Sequence, residues 1–178
     1  MGRLTGKRIV LVIAKSKFRD EEYAEPRKLL EREGATVTVA SSSLALADGM
    51  LGMKVKPDVL LGDVQEKDYD GVVFVGGGGA KEYFDDPVAH RLAREFFEHG
   101  KLTSAICIAP ATLAHAGLLK GKKATSFPSS EGALRSHGAV VTKDDVVTDG
   151  VIVTGVGPEA ARKFGAKLVD VLSSQAKA

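Results

Sequence analysis

Residues 103–113 read TSAICIAPATL, and this stretch holds the only cysteine of the chain, Cys107. The small, apolar and β-branched residues 103–106 predict a buried strand, and Pro110 with the Ala- and Leu-rich residues after it predicts the first turn of a helix. Cys107 then lies on the sharp turn between strand and helix, close to backbone N–H groups and the helix dipole. We therefore expect a reactive thiol with a lowered pKa; the alternative is a small buried apolar residue without chemistry.

Apolar runs alternate with helical patterns on both sides of this turn. Arg8–Ala14 is a charge followed by an unbroken apolar run, which is typical of a parallel strand covered on both faces. The helix after it has acidic residues in its first turn and ends at Gly34. Further strands are predicted at 36–40, 71–75 and 123–127, a hairpin with Asp-Gly at its turn at 146–153, and helices at 85–100, 130–136 and 158–172.

This alternation predicts an α/β fold, a doubly wound parallel sheet resembling flavodoxin with helices on both faces, in a single domain over residues 1–178. Ser41–Asp68 is the least regular segment, because serines, glycines and a proline are scattered through it. We predict a loop there, with a short hairpin around Met53–Leu60 and one helical turn near Asp63. The segment could form a rim of the active site or a subunit contact.

Composition narrows the possible partners. The net charge is +2, from 25 basic and 23 acidic residues, so no basic surface indicates a nucleic acid. The first apolar run is too short for a signal peptide or a membrane-spanning helix, and one cysteine cannot form an internal disulfide. We expect a cytoplasmic protein with a small-molecule or protein partner, no nucleic acid, no membrane, no cofactor and no metal, since no His, Cys and carboxylate cluster has metal-ligand spacing.

Three features fall at the carboxyl edge of the predicted sheet, where ligands bind in such folds. They are Glu22, the glycine run Gly76–Gly79 and Cys107. A partly desolvated Glu22 would have a raised pKa and could share a proton with the thiol, although alone it is also typical of a solvated helix start. The glycine N–H groups could hold an oxyanion, or only form a tight turn; a phosphate cradle is disfavoured because Lys81 stands where a third glycine is needed.

Four segments together resemble the DJ-1/PfpI superfamily over nearly the whole chain. They are FRDEEYAEP (18–26), VGGGGAKE (75–82), AICIAPATLAHAGLLKG (105–121) and DGVIVTG (149–155). The resemblance implies a class I glutamine amidotransferase-like fold, with Cys107 as the nucleophile on the elbow and Glu22 in contact with it. It also implies an oxyanion site from the backbone of Gly77, Gly78 and Ile108, and a homodimer or, in the peptidase-like branch, a hexamer.

The chain departs from that family at two positions that supply a histidine elsewhere. Peptidase-like members carry histidine directly after the cysteine, where this chain has Ile108, and other members carry it where this chain has Phe127. Glu82 corresponds to an acid that a neighbouring subunit contributes in the peptidase branch. The four histidines of this chain, His90, His99, His115 and His137, are expected to be structural or on the surface.

The resemblance implies three functions. The first is a glutathione-independent glyoxalase or deglycase acting on methylglyoxal-like dicarbonyls through Cys107 and Glu22. The second is an intracellular cysteine peptidase or amidase, which Ile108 disfavours because no histidine base lies next to the nucleophile. The third is a redox sensor or chaperone for oxidative stress, in which Cys107 is oxidised to a sulfinate.

Overall fold

The computed structural model describes residues 2–175. The helices are α1 (Asp20–Arg32), α2 (Pro87–Glu98), α3 (Pro110–His115), α4 (Glu131–Ser136) and α5 (Ala161–Ser174). The strands are β1 (Arg8–Val12), β2 (Ser16–Phe18), β3 (Thr36–Ser41), β4 (Ala47–Gly49), β5 (Lys54–Val55), β6 (Val59–Leu60), β7 (Gly71–Phe74), β8 (Leu102–Ile106), β9 (Lys123–Ala124), β10 (Val140–Val141), β11 (Val146–Asp149) and β12 (Ile152–Gly155).

The main sheet has seven strands in the order β11-β12-β8-β7-β1-β3-β6. All neighbours pair in parallel except β11, which is antiparallel to β12 across the Asp-Gly turn. Its five central strands, β3, β1, β7, β8 and β12, follow the 2-1-3-4-5 order of flavodoxin-like folds. The predicted doubly wound α/β sheet is confirmed.

Helices cover both faces of this sheet. α1 packs against α5 and α2 packs against α3, and strands of the sheet contact both pairs. Gly165 lets α5 approach α1 closely, because a Cβ there would lie 3.1 Å from the Pro26 Cα. This packing fixes the position of α1, which carries Glu22 in its first turn.

The segment 41–68 differs from its prediction. The hairpin is formed by β4 and β5, not by Met53–Leu60, and β6 instead joins the main sheet beside β3. β2 pairs with β4, which makes a second, three-stranded sheet. A residue distant in the sequence holds the hairpin loop. The Asp20 carboxylate accepts hydrogen bonds from the Leu51 and Met53 N–H groups, each 2.9 Å long. No local pattern signals that contact.

β9 is also shorter than predicted, ending at Ala124 rather than continuing to Phe127. The chain leaves the strand because the Phe127 N–H donates to the Cys107 carbonyl oxygen at 2.8 Å. The predicted helical turn near Asp63 is present as a short 3-10 helix, Leu61–Asp63. Within residues 2–175 no helix is both long enough and apolar enough to cross a membrane.

Candidate active site

Cys107 lies on the elbow between β8 and α3. Its φ is +66°, in the left-handed region that costs a non-glycine residue roughly 1–2 kcal/mol. The surrounding backbone holds this conformation: the Cys107 N–H donates to the Gly155 carbonyl at 2.9 Å, and the Cys107 carbonyl accepts from Phe127. The strained turn points the thiol into the space beyond the carboxyl ends of the strands.

Glu22 is a fully buried carboxyl group next to that thiol. Neither carboxyl oxygen has a hydrogen-bond partner of ordinary geometry among the described residues. Burial raises the pKa of Glu22 to about 8, and the nearby Cys107 thiol and Gly76 N–H offset part of the shift. Glu22 is therefore mostly protonated at neutral pH, as the sequence interpretation expected of a desolvated carboxyl.

The thiol pKa shifts in the direction opposite to our expectation. Burial and the negative charge of Glu22 raise the pKa of Cys107 to about 12, although the N–H groups of Gly77 and Ile108 lower it in part. The two groups interact directly, so they titrate as a pair. Near neutral pH both the carboxyl and the thiol therefore mostly keep their protons, and the pair loses its first proton near pH 8.

The glycine run brings β7 against this pair. A Cβ on Gly76 would collide with Glu22 Oε1 and would lie 2.5 Å from the Cys107 Cβ. Gly77 has φ +99° and packs on the backbone of residues 17–19, and Gly79 packs on the Ser16 carbonyl. Only Gly78 of the four has open space at its Cβ position. The glycines thus let the backbone that follows β7 come close to Glu22 and Cys107, and the Gly77 N–H is directed to the sulfur.

A cavity of about 240 Å³ opens beside the thiol. A larger groove of about 540 Å³ adjoins it and shares three of its lining residues, Arg19, Phe127 and Pro158. Arg19 is held by Glu21, whose carboxylate accepts from Nε at 2.8 Å and from the guanidinium Nη2 at 3.0 Å. The cavity is lined by Arg19, Met50, Gly77, Gly78, Lys81, Cys107, Ile108, Phe127, Ser129 and Pro158.

The other candidate residues lie away from the sulfur. Glu82 is exposed, and its carboxylate accepts a hydrogen bond from the Lys15 N–H of its own chain at 2.8 Å. The ring nitrogens of the histidines contact groups outside the cavity: His90 the Phe84 carbonyl, His99 the Glu95 carbonyl, His115 the Asp85 carboxylate and His137 the Ala133 carbonyl. Across residues 2–175, no three His, Cys, Asp or Glu side chains are grouped to hold a metal ion.

Sequence reasoning missed Met50 and Pro158 as walls of the cavity and treated Phe127 only as a missing histidine. Of these residues only Phe127 could have been linked to the site from the sequence, because it occupies the position where other members of the family carry a histidine. Met50 had none, since it lies in the irregular segment and reaches the site through the Asp20 contacts of its loop.

Comparison with known proteins agrees with this fold. The chain is 40% identical over 168 residues to the uncharacterised protein MJ0967 of Methanocaldococcus jannaschii, covering 93% of this chain and 82% of that protein. It is 32% identical over 141 residues to Deglycase PH1704 of Pyrococcus horikoshii, covering 79% and 85% of the two chains. The crystal structure of a ThiJ/PfpI domain protein from Brachyspira murdochii superposes with a TM-score of 0.93 at 33% identity, covering 96% of this chain and 100% of that chain. The model of the DJ-1/PfpI family matches residues 7–171, and the chain belongs to that family.

Proposed function

We propose that the protein is a cysteine-dependent enzyme that converts methylglyoxal-like dicarbonyls to 2-hydroxy acids without glutathione, or removes them from glycated groups. The observation that carries the proposal is the buried pair of Cys107 and Glu22 at the end of an open cavity. Similarity to proteins named deglycases, such as PH1704, supports it. We place this enzyme in the cytoplasm, where a lone thiol stays reduced.

The reactive form of the pair has lost one proton and is the minor tautomer in which the remaining proton is on Glu22 and the charge is on sulfur. The protonated carboxyl donates a hydrogen bond to the thiolate, and the Gly77 and Ile108 N–H groups add two further donors. A pKa of about 8 lets Glu22 both give and take a proton near neutral pH, which is what a general acid and base requires. No histidine is needed in such a site.

The reaction then balances without any external oxidant. The Cys107 thiolate adds to the aldehyde carbon, and the new alkoxide takes the proton of Glu22, which gives a hemithioacetal. Glu22 next removes the hydrogen on that carbon as a proton while the neighbouring carbonyl oxygen takes up the hydroxyl proton of the hemithioacetal, which gives an enediol. Glu22 then returns its proton to the former ketone carbon, which leaves a thioester of the 2-hydroxy acid. Water hydrolyses the thioester, so the aldehyde carbon is oxidised, the ketone carbon is reduced and the thiol is restored.

The other two functions fit the site less well. Amide hydrolysis needs a base that delivers a proton to a poor amine leaving group, and Ile108 stands where peptidase-like relatives have histidine. Oxidation of Cys107 to a sulfinate would use the same N–H donors and Glu22. That redox role is compatible with the site, but an open cavity beside the thiol favours a substrate.

Turnover of methylglyoxal in glutathione-free buffer tests the proposal, with lactate as the measured product. We expect Cys107→Ala to abolish activity and Glu22→Gln to lower kcat by about 10²-fold or more, because general acid–base catalysis typically contributes that much. Glu25→Gln is the matched control, since Glu25 lies on the same helix and pairs with Lys28 and Arg162, outside the cavity. Lactate formation that persists in Cys107→Ala would contradict the proposal.

A further inference from the structure

The cavity beside Cys107 has apolar walls that are open to water. Met50 and Phe127 line it and are 48% and 43% exposed, and Ile108 and Pro158 complete the apolar side. Large apolar side chains exposed together at a concave site are a recognised mark of ligand binding. Contact with an apolar group is therefore favourable at the end of the cavity where the reacting thiol lies.

Backbone hydrogen bonds hold these walls in place. The Phe127 N–H donates to the Cys107 carbonyl at 2.8 Å, and the Phe127 carbonyl accepts from the Ser130 N–H at 2.9 Å. The ring lies against Gly157, where a Cβ would approach Phe127 Cδ1 to 3.3 Å. On the opposite side, the Met50 N–H donates to the Phe18 carbonyl at 2.8 Å. A wall fixed to the backbone of the nucleophile is preorganised for its ligand.

The size of the cavity exceeds what a methyl group needs. Its volume of about 240 Å³ compares with ~30 Å³ for one water in the liquid, and the adjoining groove extends it. Of the two cations on its lining, Arg19 is already paired with Glu21, and Lys81 is exposed to solvent. The space next to the thiol is therefore suited to an uncharged group of about phenyl size.

We propose that this cavity is a subsite for an apolar substituent, so that the preferred substrate is an α-oxoaldehyde bearing an aryl or branched alkyl group rather than a methyl. The inference rests on the proposed function for its carbonyl chemistry, while the apolar subsite itself can be tested without turnover. Phe127 and Met50 are then the residues that determine specificity.

The first test compares kcat/KM for phenylglyoxal and methylglyoxal. We expect phenylglyoxal to be preferred by about tenfold or more, a typical discrimination for an apolar pocket, and Phe127→Ala to reduce the preference by a similar factor. Val140→Ala is the control, because Val140 is 53% exposed and lies outside the cavity. Turnover of methylglyoxal without that preference, or with a preference that Phe127→Ala leaves intact, would overturn the inference and leave the proposed function standing.

The second test measures how fast reagents of different size and charge alkylate Cys107, the only thiol of the chain. Rates with iodoacetamide, its N-phenyl derivative iodoacetanilide and iodoacetate are each divided by the rate with glutathione. We expect iodoacetanilide to be favoured about tenfold over iodoacetamide in the native protein and in Val140→Ala, but not in Phe127→Ala.

The outcomes of this second test separate the two proposals. The expected pattern without turnover of either aldehyde would reject the proposed function and support the apolar subsite. Equal normalised rates for the two amides would overturn the subsite even where methylglyoxal is a substrate. Iodoacetate as the favoured reagent would also overturn it, in favour of an anionic substituent attracted by Lys81.

Discussion

A carboxyl group buried without a cationic partner lowers the stability of the fold as the pH rises. Burial raises the pKa of Glu22 from its ordinary 4.5 to about 8. Between these values the unfolded chain has lost a proton that the folded protein still binds, so unfolding becomes easier with increasing pH. The contribution of this proton to the free energy of unfolding is fully present below pH 4.5 and is lost by about pH 8. The cost at pH 8 is of order 3–5 kcal/mol.

Replacing this carboxyl with an amide removes the cost. We expect Glu22→Gln to unfold at a higher temperature than the native protein at pH 8 and at a similar temperature at pH 4, measured by calorimetry across that range. Glu21→Gln is the control, because Arg19 lowers the pKa of Glu21 and the sign of its contribution is reversed. If the unfolding temperatures of the native protein and Glu22→Gln differ by the same amount at pH 4 and at pH 8, Glu22 is not the titrating group.

The glycine run allows a second comparison between single residues. Gly76→Ala places a methyl group against Glu22 Oε1, 2.5 Å from the Cys107 Cβ and 2.7 Å from the Ile106 carbonyl oxygen. We expect it to destabilise the protein by about 1–3 kcal/mol, as overpacking of a buried site does, measured by urea unfolding. Gly78→Ala, in open space, should change stability by no more than about 0.5 kcal/mol. Equal urea midpoints for Gly76→Ala and Gly78→Ala would show that the backbone at Gly76 does not lie in close contact with Glu22 and Cys107.

Among the elements, the β4–β5 hairpin depends most on one distant contact. Its loop carries Met50 to the cavity, and both oxygens of Asp20 accept from that loop, one from Leu51 and one from Met53. We expect Asp20→Ala to cost about 2–3 kcal/mol in unfolding free energy, because hydrogen bonds to a buried charge are lost. Amide exchange of Leu51 and Met53 should accelerate as well.

A surface ion pair in the same hairpin provides the matched control. Asp48 pairs with Lys54 on the surface, where ion pairs contribute at most about 1 kcal/mol. Asp48→Ala should therefore leave the Leu51 and Met53 exchange rates unchanged. Similar acceleration in both variants would mean that the hairpin opens as a unit and that Asp20 is not its anchor.

Exposed leucines concentrate in the irregular segment between β3 and β5. Leu44, Leu46 and Leu51 are 42%, 56% and 64% exposed, and none of them lines the cavity beside Cys107. Patches of this kind mark interaction surfaces, and the resemblance to the family implies a homodimer or a hexamer. We propose that a second copy of the chain covers these three leucines.

Light scattering after size exclusion measures that assembly directly. We expect a mass of twice 18.7 kDa, reduced to that of one chain by the double substitution Leu46→Asp and Leu51→Asp. Val140→Asp, on an exposed apolar residue elsewhere, should leave the mass unchanged. A mass six times that of the chain would indicate the hexamer, and a native monomer at micromolar concentration would contradict self-association through this surface.

The order of the central strands and of the helices, the elbow at Cys107 and the meeting of Glu22, the glycine run and the thiol at one edge were predictable from the sequence. These follow from local signals: apolar periodicity, helix ends and the rule that parallel strands present their carboxyl ends together. The bounds of α1 and α2 were predictable to within about two residues, because their signals are local. α1 has an acidic first turn, α2 begins at Pro87 after Asp86, and Gly34 and Gly100 follow shortly after the two helices end.

The sign of the thiol pKa shift, the position of the hairpin and the walls of the cavity depend on tertiary contacts and could not be predicted from the sequence. Desolvation depends on everything that packs around a group, and Glu22 and Cys107 are 85 positions apart in the chain, too far for a local pattern to show their burial. The hairpin loop and Phe127 are likewise placed by hydrogen bonds to Asp20 and Cys107, which no periodicity encodes. Chemistry at this site depends on those long-range contacts, because they decide how little water reaches Glu22 and Cys107.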